Sequence, residues 1–559
     1  MASYNYTNYL EESIQKNWNI RALANYKENA ISYGELAKAI YQIHATLESI
    51  GVKRGDKIAL VSKNSVNWCL VYLATVTYGA VIVPLLSDFK PQDIHELVNH
   101  CDAEFAFFSE NIYNKIDTKE FKNLKGIFIL ETMSLKDDFG GIDLKLHDAD
   151  KIFVSKYESK LTPKKFSLPK NKNSELMVIS YTSGTSGIPK GVMLSHRSIS
   201  ANVWYGRKYM PLKTADCILS FLPLAHSYGC TFEFLYPLTL GCFVTLLGRV
   251  PSPTIIMEAF REIKPRLILS VPLVVEKIYK KQILPALEDP KVKTLLKIPI
   301  LNGQVLKKIN AKVTDAFGGN FKELVSGGAA LNPEVEKFFT KIGLNFTVGY
   351  GMTECGPLIA YDSHKSRKVG GTGKPVDTLE VKINSRDPYN IPGEILVKGD
   401  NVMDGYYKNE FLTQEALDSD KWLHTGDLGV VGHDGTIYIK GRSKSMILGP
   451  SGQNIYPEEI EAVINNYPLV GESLVVEKEG KLIALVAPDF EYIENQKLDK
   501  ITAYDDILNY KTSINNRLAG YLNVAEIKIM EEEFEKTPKN SIKRFVYTSP
   551  NYQVHRIKH

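Results

Sequence analysis

Cysteine is scarce, with six in 559 residues, and none forms a CxxC pair or a spacing of the kind that holds zinc. A disulfide scaffold and a structural zinc module are thereby excluded, and the thiols read as buried and free in a reducing compartment. Charge of one sign is also lacking. The net value of +4 is too small to argue for a nucleic-acid partner. Long hydrophobic runs are missing as well. The longest, around Val71 to Leu86, is interrupted by Gly79 and Pro84 and falls short of the ~20 residues a bilayer requires. It reads as a buried helix running into a buried strand. The opening residues, MASYNYTNYLEESIQKNW, carry early acids and no apolar h-region, so a signal peptide is not expected and a cytoplasmic location is. No internal repeat or low-complexity tract occurs.

What is present is an alternation of apolar runs with amphipathic stretches. Strands are expected at 57–62, 80–86, 103–109, 176–184, 243–248 and 266–272, with helical patterns such as 32–51 between them. This points to α/β architecture with mainly parallel sheets. A lysine-rich stretch from Lys151 to Glu175, carrying Pro163 and Pro169, reads as an exposed connector. Peripheral contact with the inner face of a membrane is its alternative reading. From about Asp362 to Lys440 short β-like pieces alternate with Gly, Pro, Asn and Asp, which suggests an antiparallel sheet or barrel. After Gly441–Arg442 a final stretch of strands and helices reads as a small α+β domain. A chain of this length divides into domains, here 1–442 and 443–559.

The strongest local signal is the run from Tyr181 to Gly191, YTSGTSGIPKG, which follows a buried strand. Its glycines permit a tight turn that aims backbone N–H groups at an anion. The hydroxyls of Thr182, Ser183, Thr185 and Ser186 add donors, and Lys190 adds a point charge. Its spacing does not match the GxxxxGK[ST] nucleotide loop.

Further motifs follow in order: LPLAHS (Leu222–Ser227), SGGAA (Ser326–Ala330), GYGMTE (Gly349–Glu354), GEI (Gly393–Ile395), WLHTGD (Trp422–Asp427) and GRSK (Gly441–Lys444). Together with the 181–191 loop this ordered set resembles the adenylate-forming, or AMP-binding, enzymes. These include acyl-CoA synthetases, luciferases and peptide-synthetase adenylation domains. Among them the chain most resembles bacterial long-chain fatty acyl-CoA synthetases. The resemblance implies a large N-terminal domain of α/β subdomains with a small distorted β-barrel, and a small mobile α+β C-terminal domain. It implies ATP, Mg²⁺ and coenzyme A as reaction partners, and a fatty acid activated as acyl-AMP before transfer to the CoA thiol.

The chemistry joins two anions, so charge must be neutralised and the groups held in line. Glu354 offers a hard carboxylate oxygen suited to Mg²⁺, and the resemblance puts the Thr182 hydroxyl near the same ion. The phosphate loop contributes Ser183, Gly184, Thr185, Ser186, Gly187 and Lys190. Thr353 looks like an α-phosphate contact. Tyr350, followed by Gly351, offers an aromatic face for adenine, and Gly327 and Gly328 let the base approach the backbone. Asp427 fits a bidentate acceptor for ribose hydroxyls, with Arg442 a charged contact to ribose or phosphate. His226 resembles the family's gate beside the acyl pocket. Lys444 occupies the resembling hinge position, where only a few residues need absorb the φ/ψ change. Gly452 would line the route of the pantetheine arm.

One departure lies near the end. The family's PxxxxGKxxR-like segment carries a lysine that contacts the reacting carboxylate. Here the segment reads KTPKNSIKR (Lys536–Arg544), and counting back from Arg544 places Ser541 at the lysine position. Lys539 and Lys543 are the candidate substitutes, since in an extended strand both share a face with Ser541. Otherwise the chain is a weakly active or non-catalytic binding relative. The segment VPLVVEKIY (Val271–Tyr279) looks like the VPRxxEKIY of long-chain synthetases, with Leu273 in place of arginine. Together with the apolar stretch Phe232 to Leu247, a candidate channel wall, it favours a medium- to long-chain fatty acid. An acyl-AMP ligase serving a carrier protein and an aryl-CoA ligase are the alternatives.

Overall fold

The computed structural model describes residues 4–182, 189–249, 253–288, 290, 294, 299–448, 454–537 and 541–548. Among the predicted site residues, Ser183, Gly184, Thr185, Ser186, Gly187, Gly452 and Lys539 lie outside them.

Three sheets with parallel cores build the larger part. The first has eight strands, and its five central ones are parallel: Leu176–Thr182, Val81–Leu85, Lys57–Val61, Ala103–Phe108 and Gly126–Ile129. Their apolar runs are buried on both faces, as parallel strands covered by helices require. The helix Tyr33–Ser49 covers part of this core. It starts at Ser32, whose side chain and that of Glu35 cap each other's backbone N–H groups, the reciprocal pairing that satisfies orphan donors. The run Val71 to Leu86 divides as expected into the helix Val66–Tyr78 and the strand Val81–Leu85. The turn between them is made by Gly79 at φ 98°, a conformation that L side chains resist.

The second sheet sets Cys217–Ser220, Phe243–Leu246 and Arg21–Asn25 in parallel. The third sets Leu267–Ser270, Glu323–Ser326 and Phe346–Val348 in parallel, with Ser270, Ser326 and Val348 in register at their ends. The β-rich region forms two antiparallel sheets, one of Tyr350–Gly351, Leu358–Tyr361 and Lys374–Pro375, the other of Leu379–Asn384, Gly393–Gly399, Leu423–Val431 and Ile437–Arg442.

Beyond these, Val470–Lys478, Lys481–Pro488 and Glu526–Ile529 make a three-stranded sheet packed by the helices Pro457–Ile464 and Lys500–Asn515. Its buried cluster, including Ile460, Ile464, Ala484 and Ile507, is distinct from the large one.

Two expectations are corrected. The 151–175 stretch is not simply an exposed connector. It contains the end of the helix Ala149–Lys156, and it buries Phe166, Leu168 and Asn171. Gln15 donates to the Phe166 carbonyl (2.7 Å) and Tyr41 to that of Ser167 (2.7 Å), so this segment is an internal tie. The terminal segment is not an extended strand either. Lys536 bridges Ile542, and Thr537 N donates to the Ser541 carbonyl at 2.8 Å. Residues 536–537 and 541–542 therefore pair with each other instead of continuing one strand, and Lys539 lies outside the described residues. The six cysteines carry no disulfide, and all but Cys217 are buried. Among the described residues no helix is long and apolar enough to cross a membrane.

Candidate functional site

The sequence motifs leave the carboxyl ends of parallel strands, where open α/β sheets place their ligand crevices. Leu176–Thr182 runs into the 181–191 loop and returns as Lys190–Ser195, with Thr182 opposite Lys190. Glu323–Ser326 ends at Gly327 and Gly328, and its neighbour Phe346–Val348 ends at Gly349 and Tyr350. Gly327 N donates to the Ser270 carbonyl (3.0 Å), and Gly349 N to that of Ser326 (2.9 Å). A side chain at Gly327 would press on Tyr228, whose ring lies 3.3 Å from the ideal Cβ position. The LPLAHS turn is therefore beside the glycine pair. His226 starts the helix Ser227–Gly229, and Tyr228 donates to the Val325 carbonyl at 3.2 Å.

Glu354 lies in the short 3₁₀ turn Thr353–Cys355 and is buried with only 9% exposure. Its Oε1 accepts from the Tyr406 hydroxyl at 2.9 Å. The Lys190 ammonium stands 4.9 Å from the centre of the Tyr406 ring, within cation–π range. Tyr406 itself pairs with Val192 on the returning strand. Lys190, Tyr406 and Glu354 thus form one chain of contacts from the phosphate loop to the metal-ligand candidate, with Thr182 across the ladder. Mg²⁺ takes one or two carboxylates plus substrate phosphates, and a single buried carboxylate beside an anion-binding loop fits that pattern.

The turn bearing Thr353 and Glu354 is held from below. Asn202, fully buried, donates to the Cys355 carbonyl (3.0 Å) and accepts from Leu358 N (2.9 Å). Gly351 makes the fold possible there, because a Cβ would stand 2.2 Å from the Pro357 carbonyl oxygen.

The second half of the site is built on the antiparallel sheet. The Tyr350 hydroxyl donates to Asp427 Oδ2 at 2.8 Å, and Arg442 Nε stands 3.2 Å from Asp427 Oδ1. Asp427 is opposite Arg442 in the strand register. Burial pushes the Asp427 carboxyl above the usual carboxylate range, and the Arg442 charge opposes that shift. Glu394 of the GEI motif sets the WLHTGD turn: its Oε2 meets His424 Nδ1 (2.8 Å), and its Oε1 accepts from Gly426 N (3.0 Å). Lys444 is exposed just beyond, after Ser443 N has donated to the Gly426 carbonyl (2.9 Å).

A narrow, mainly apolar gap with room for only about 10 Å³ lies under the LPLAHS turn, lined by Tyr72, Val178, Leu194, Ile199, Leu224 and Cys230 among others, which is about the space of one water and too little for an acyl chain. The expected channel wall, Phe232 to Leu247, does not line it. Phe232, Phe234, Leu235 and Leu238 are spent in the main core. Lys543 lies apart from the other candidates, 3.5 Å from Glu535 of its own sheet region.

The structure therefore brings together Thr182, Lys190, Tyr350, Gly351, Thr353, Glu354, Gly327, Gly328, Asp427 and Arg442, with His226 alongside. Sequence reasoning missed Tyr406, Asn202, Tyr228 and Glu394 as supports. Glu394 alone had a signal, its place in a quoted motif.

Comparison with known proteins agrees. The model of the AMP-binding enzyme family matches residues 10–407. The peroxisomal long chain acyl-CoA synthetase 6 of Arabidopsis thaliana is 28% identical over 500 residues, covering 83% of this chain and 69% of its own. The long-chain-fatty-acid–CoA ligase FadD15 of Mycobacterium bovis is 28% identical over 494 residues, covering 82% and 78%. The anthranilate CoA ligase AuaEII, solved with anthranoyl-AMP, shares the fold at a TM-score of 0.78 and 19% identity, over 98% of this chain and 97% of its own. On the family match, which spans both phosphate-loop and GYGMTE elements, this chain belongs to the AMP-binding enzymes.

Proposed function

We propose that this chain is an acid–thiol ligase that activates a medium- to long-chain fatty acid and delivers it to coenzyme A. In the first half-reaction a carboxylate oxygen attacks the α-phosphorus of ATP, the bond to the β-phosphate oxygen breaks, and acyl-AMP and pyrophosphate form. In the second, the CoA sulfur attacks the acyl carbon, AMP leaves, and the thiol proton passes to solvent or base. The single observation that carries the reading is the contact chain Lys190–Tyr406–Glu354 facing Tyr350–Asp427–Arg442. It sets an anion-binding end and a hydroxyl-binding end into one crevice.

Each residue then has a task. Lys190 and the 183–187 loop hold the phosphates, and Thr353 contacts the α-phosphate. Gly327, Gly328 and Tyr350 receive adenine, while Asp427, fixed by Tyr350 and Arg442, accepts from the ribose. Glu354 with Thr182 would hold Mg²⁺, which supplies charge neutralisation on the phosphates when bound. His226 borders the acyl pocket. Residues 443–559 rotate about Lys444, and Gly452 lines the pantetheine route. The terminal lysine role falls to Lys539 or Lys543.

The likeness to long-chain acyl-CoA synthetases supports a fatty acid, whose chain gains about 0.8 kcal/mol for each buried CH₂. The test is a panel of acids scored by CoA-dependent AMP formation. Fatty acids should be the best substrates. A preference for aryl acids would favour an aryl-CoA ligase, and acid-dependent pyrophosphate exchange without CoA thioester would favour transfer to a carrier protein. Binding of ATP without exchange for any acid would sink catalysis altogether. Glu354→Ala should abolish exchange in a folded protein.

A further inference from the structure

The EKIY helix is engaged with residues beyond 442. It spans Pro272–Ile278 and continues through a π-helical turn, Tyr279–Ile283. Glu276 accepts from Asn332 N at 2.9 Å. One turn on, the Lys280 ammonium donates to the Asn465 carbonyl at 2.6 Å, with the Val470 carbonyl at 3.5 Å. Asn465 caps the C-terminus of the helix Pro457–Ile464, where unpaired carbonyls concentrate negative potential and favour a cation. Asn332 carries the seam onward, donating from Nδ2 to Asn466 Oδ1 at 2.6 Å. Arg517 pairs with Glu334 next to it.

The Lys280, Asn332 and Arg517 contacts join residues before 442 to residues after it, and they fix which face of the small unit is turned inward. Tyr456 and Glu458 pack on Gly441, with atoms 2.8 and 3.3 Å from its ideal Cβ position. Lys536 and Lys543, by contrast, are tied to Glu472 and Glu535 on the small unit itself. The arrangement therefore presents the Asn454–Tyr456 side to the crevice and keeps the terminal lysine segment on the small unit. In the two-step reading above, that is the arrangement for thioester formation.

We infer that Lys280, one turn beyond Glu276, is a positioning residue for the second half-reaction, pinning the small unit through the Asn465 carbonyl at the helix C-terminus. A half-buried ammonium is unfavourable without partners, so the pin works only while the unit is docked. Rotation away returns Lys280 to water and leaves adenylation untouched. The inference rests on the proposed two-step reaction, and its test separates the two.

Full-length Lys280→Ala is compared with the parent chain and with Lys280→Arg, which retains donors to both carbonyls. Loss of a charged hydrogen bond weakens docking by ~10-fold or more. Thioester formation from preformed acyl-AMP should fall by that factor, fatty-acid-dependent pyrophosphate exchange should change less than about twofold, and Lys280→Arg should recover most of the loss. A parallel readout needs no turnover. Spin labels at Phe411→Cys and Ile501→Cys, both exposed, in a Cys217→Ser background, report the distance between the two units. Lys280→Ala should broaden or shift it, as should Asn466→Ala from the other side of the seam. An unchanged distance distribution overturns the inference, as does an equal fall in both half-reactions. If no acid is turned over by the parent chain, the ligase reading fails while the distance measurement still decides the pin.

Discussion

Glu233 carries a prediction that can be worked from the structure. It lies on the π-helical turn Cys230–Leu235, is 1% exposed, and has no cation beside it to offset burial. Its Oε2 accepts from Ser220 Oγ (3.0 Å) and Leu222 N (3.1 Å), while Oε1 is buried without a hydrogen-bond partner. Burial holds its carboxyl well above the ordinary 4.5. The side chain is therefore a neutral acid that fixes the strand exit leading into LPLAHS. Once unfolded, it ionises near its ordinary value. Below that value both states are protonated and the shift has no effect. Above it, the unfolded chain gains from ionisation and the folded chain does not, so stability falls as pH rises until the folded-state value is reached. The slope is at most about 1.4 kcal/mol per pH unit. Glu233→Gln keeps an acceptor for Ser220 and Leu222 and removes the titration. Urea midpoints of the two proteins, taken at pH 5, 6 and 7, should therefore diverge, the variant gaining on the parent as pH rises. Parallel midpoints would refute the neutral-acid account. Glu233→Leu instead strands the Ser220 hydroxyl and the Leu222 N–H, costs about 1–3 kcal/mol, and should slow acid-dependent exchange.

Four further outcomes are expected. Tyr406→Phe deletes the hydroxyl that orients Glu354, and the Mg²⁺ concentration for half-maximal pyrophosphate exchange should rise by about tenfold; an unchanged titration would free Tyr406 of that task. Gly351→Ala forces a methyl against the Pro357 carbonyl, so exchange should vanish and thermal unfolding should drop by several degrees, both read on purified protein. Asp427→Ala should raise the KM for ATP far more than the KM for the acid, and equal effects would argue against ribose contact. Val178→Phe adds bulk to the tight apolar gap under LPLAHS, so stability should fall by about 1–3 kcal/mol, checked by urea midpoints.

The sequence and the structure agree most closely where chemistry forced an unusual composition. Glycine pairs, hydroxyl runs and the TGD turn are conspicuous in a line of text because few other contexts need them. The expected strands all appear, most of them one to three residues shorter than expected, because long apolar runs bounded by turn residues have few alternatives. Legibility ended where contacts are long-range. Asn202 looks like any helical asparagine, yet its two hydrogen bonds hold a turn about 150 positions away in the chain. Tyr406 follows a glycine in a region of short strands, and nothing local points from it to Glu354. The 151–175 stretch failed for a related reason: its lysines face water while Phe166 and Leu168 point inward, and composition averages the two. Lys280, just past the EKIY motif, carries no local sign that it reaches Asn465 of the small unit.

These supports have one property in common. Asn202, Glu233 and Glu394 each place a polar group at a loop base, where an apolar residue would leave backbone groups unpaired, and Tyr406 does the same for the Glu354 carboxylate. The reactive loops themselves need small residues, open backbone and room for a charged ligand, so they contribute little packing of their own. Their geometry has to be imposed from the sheet ends. A buried hydrogen bond does this better than apolar contact, because it fixes direction as well as distance. Variants at these positions should therefore lose catalysis out of proportion to stability, whereas truncations of Phe232 or Leu235 in the core should lose both together.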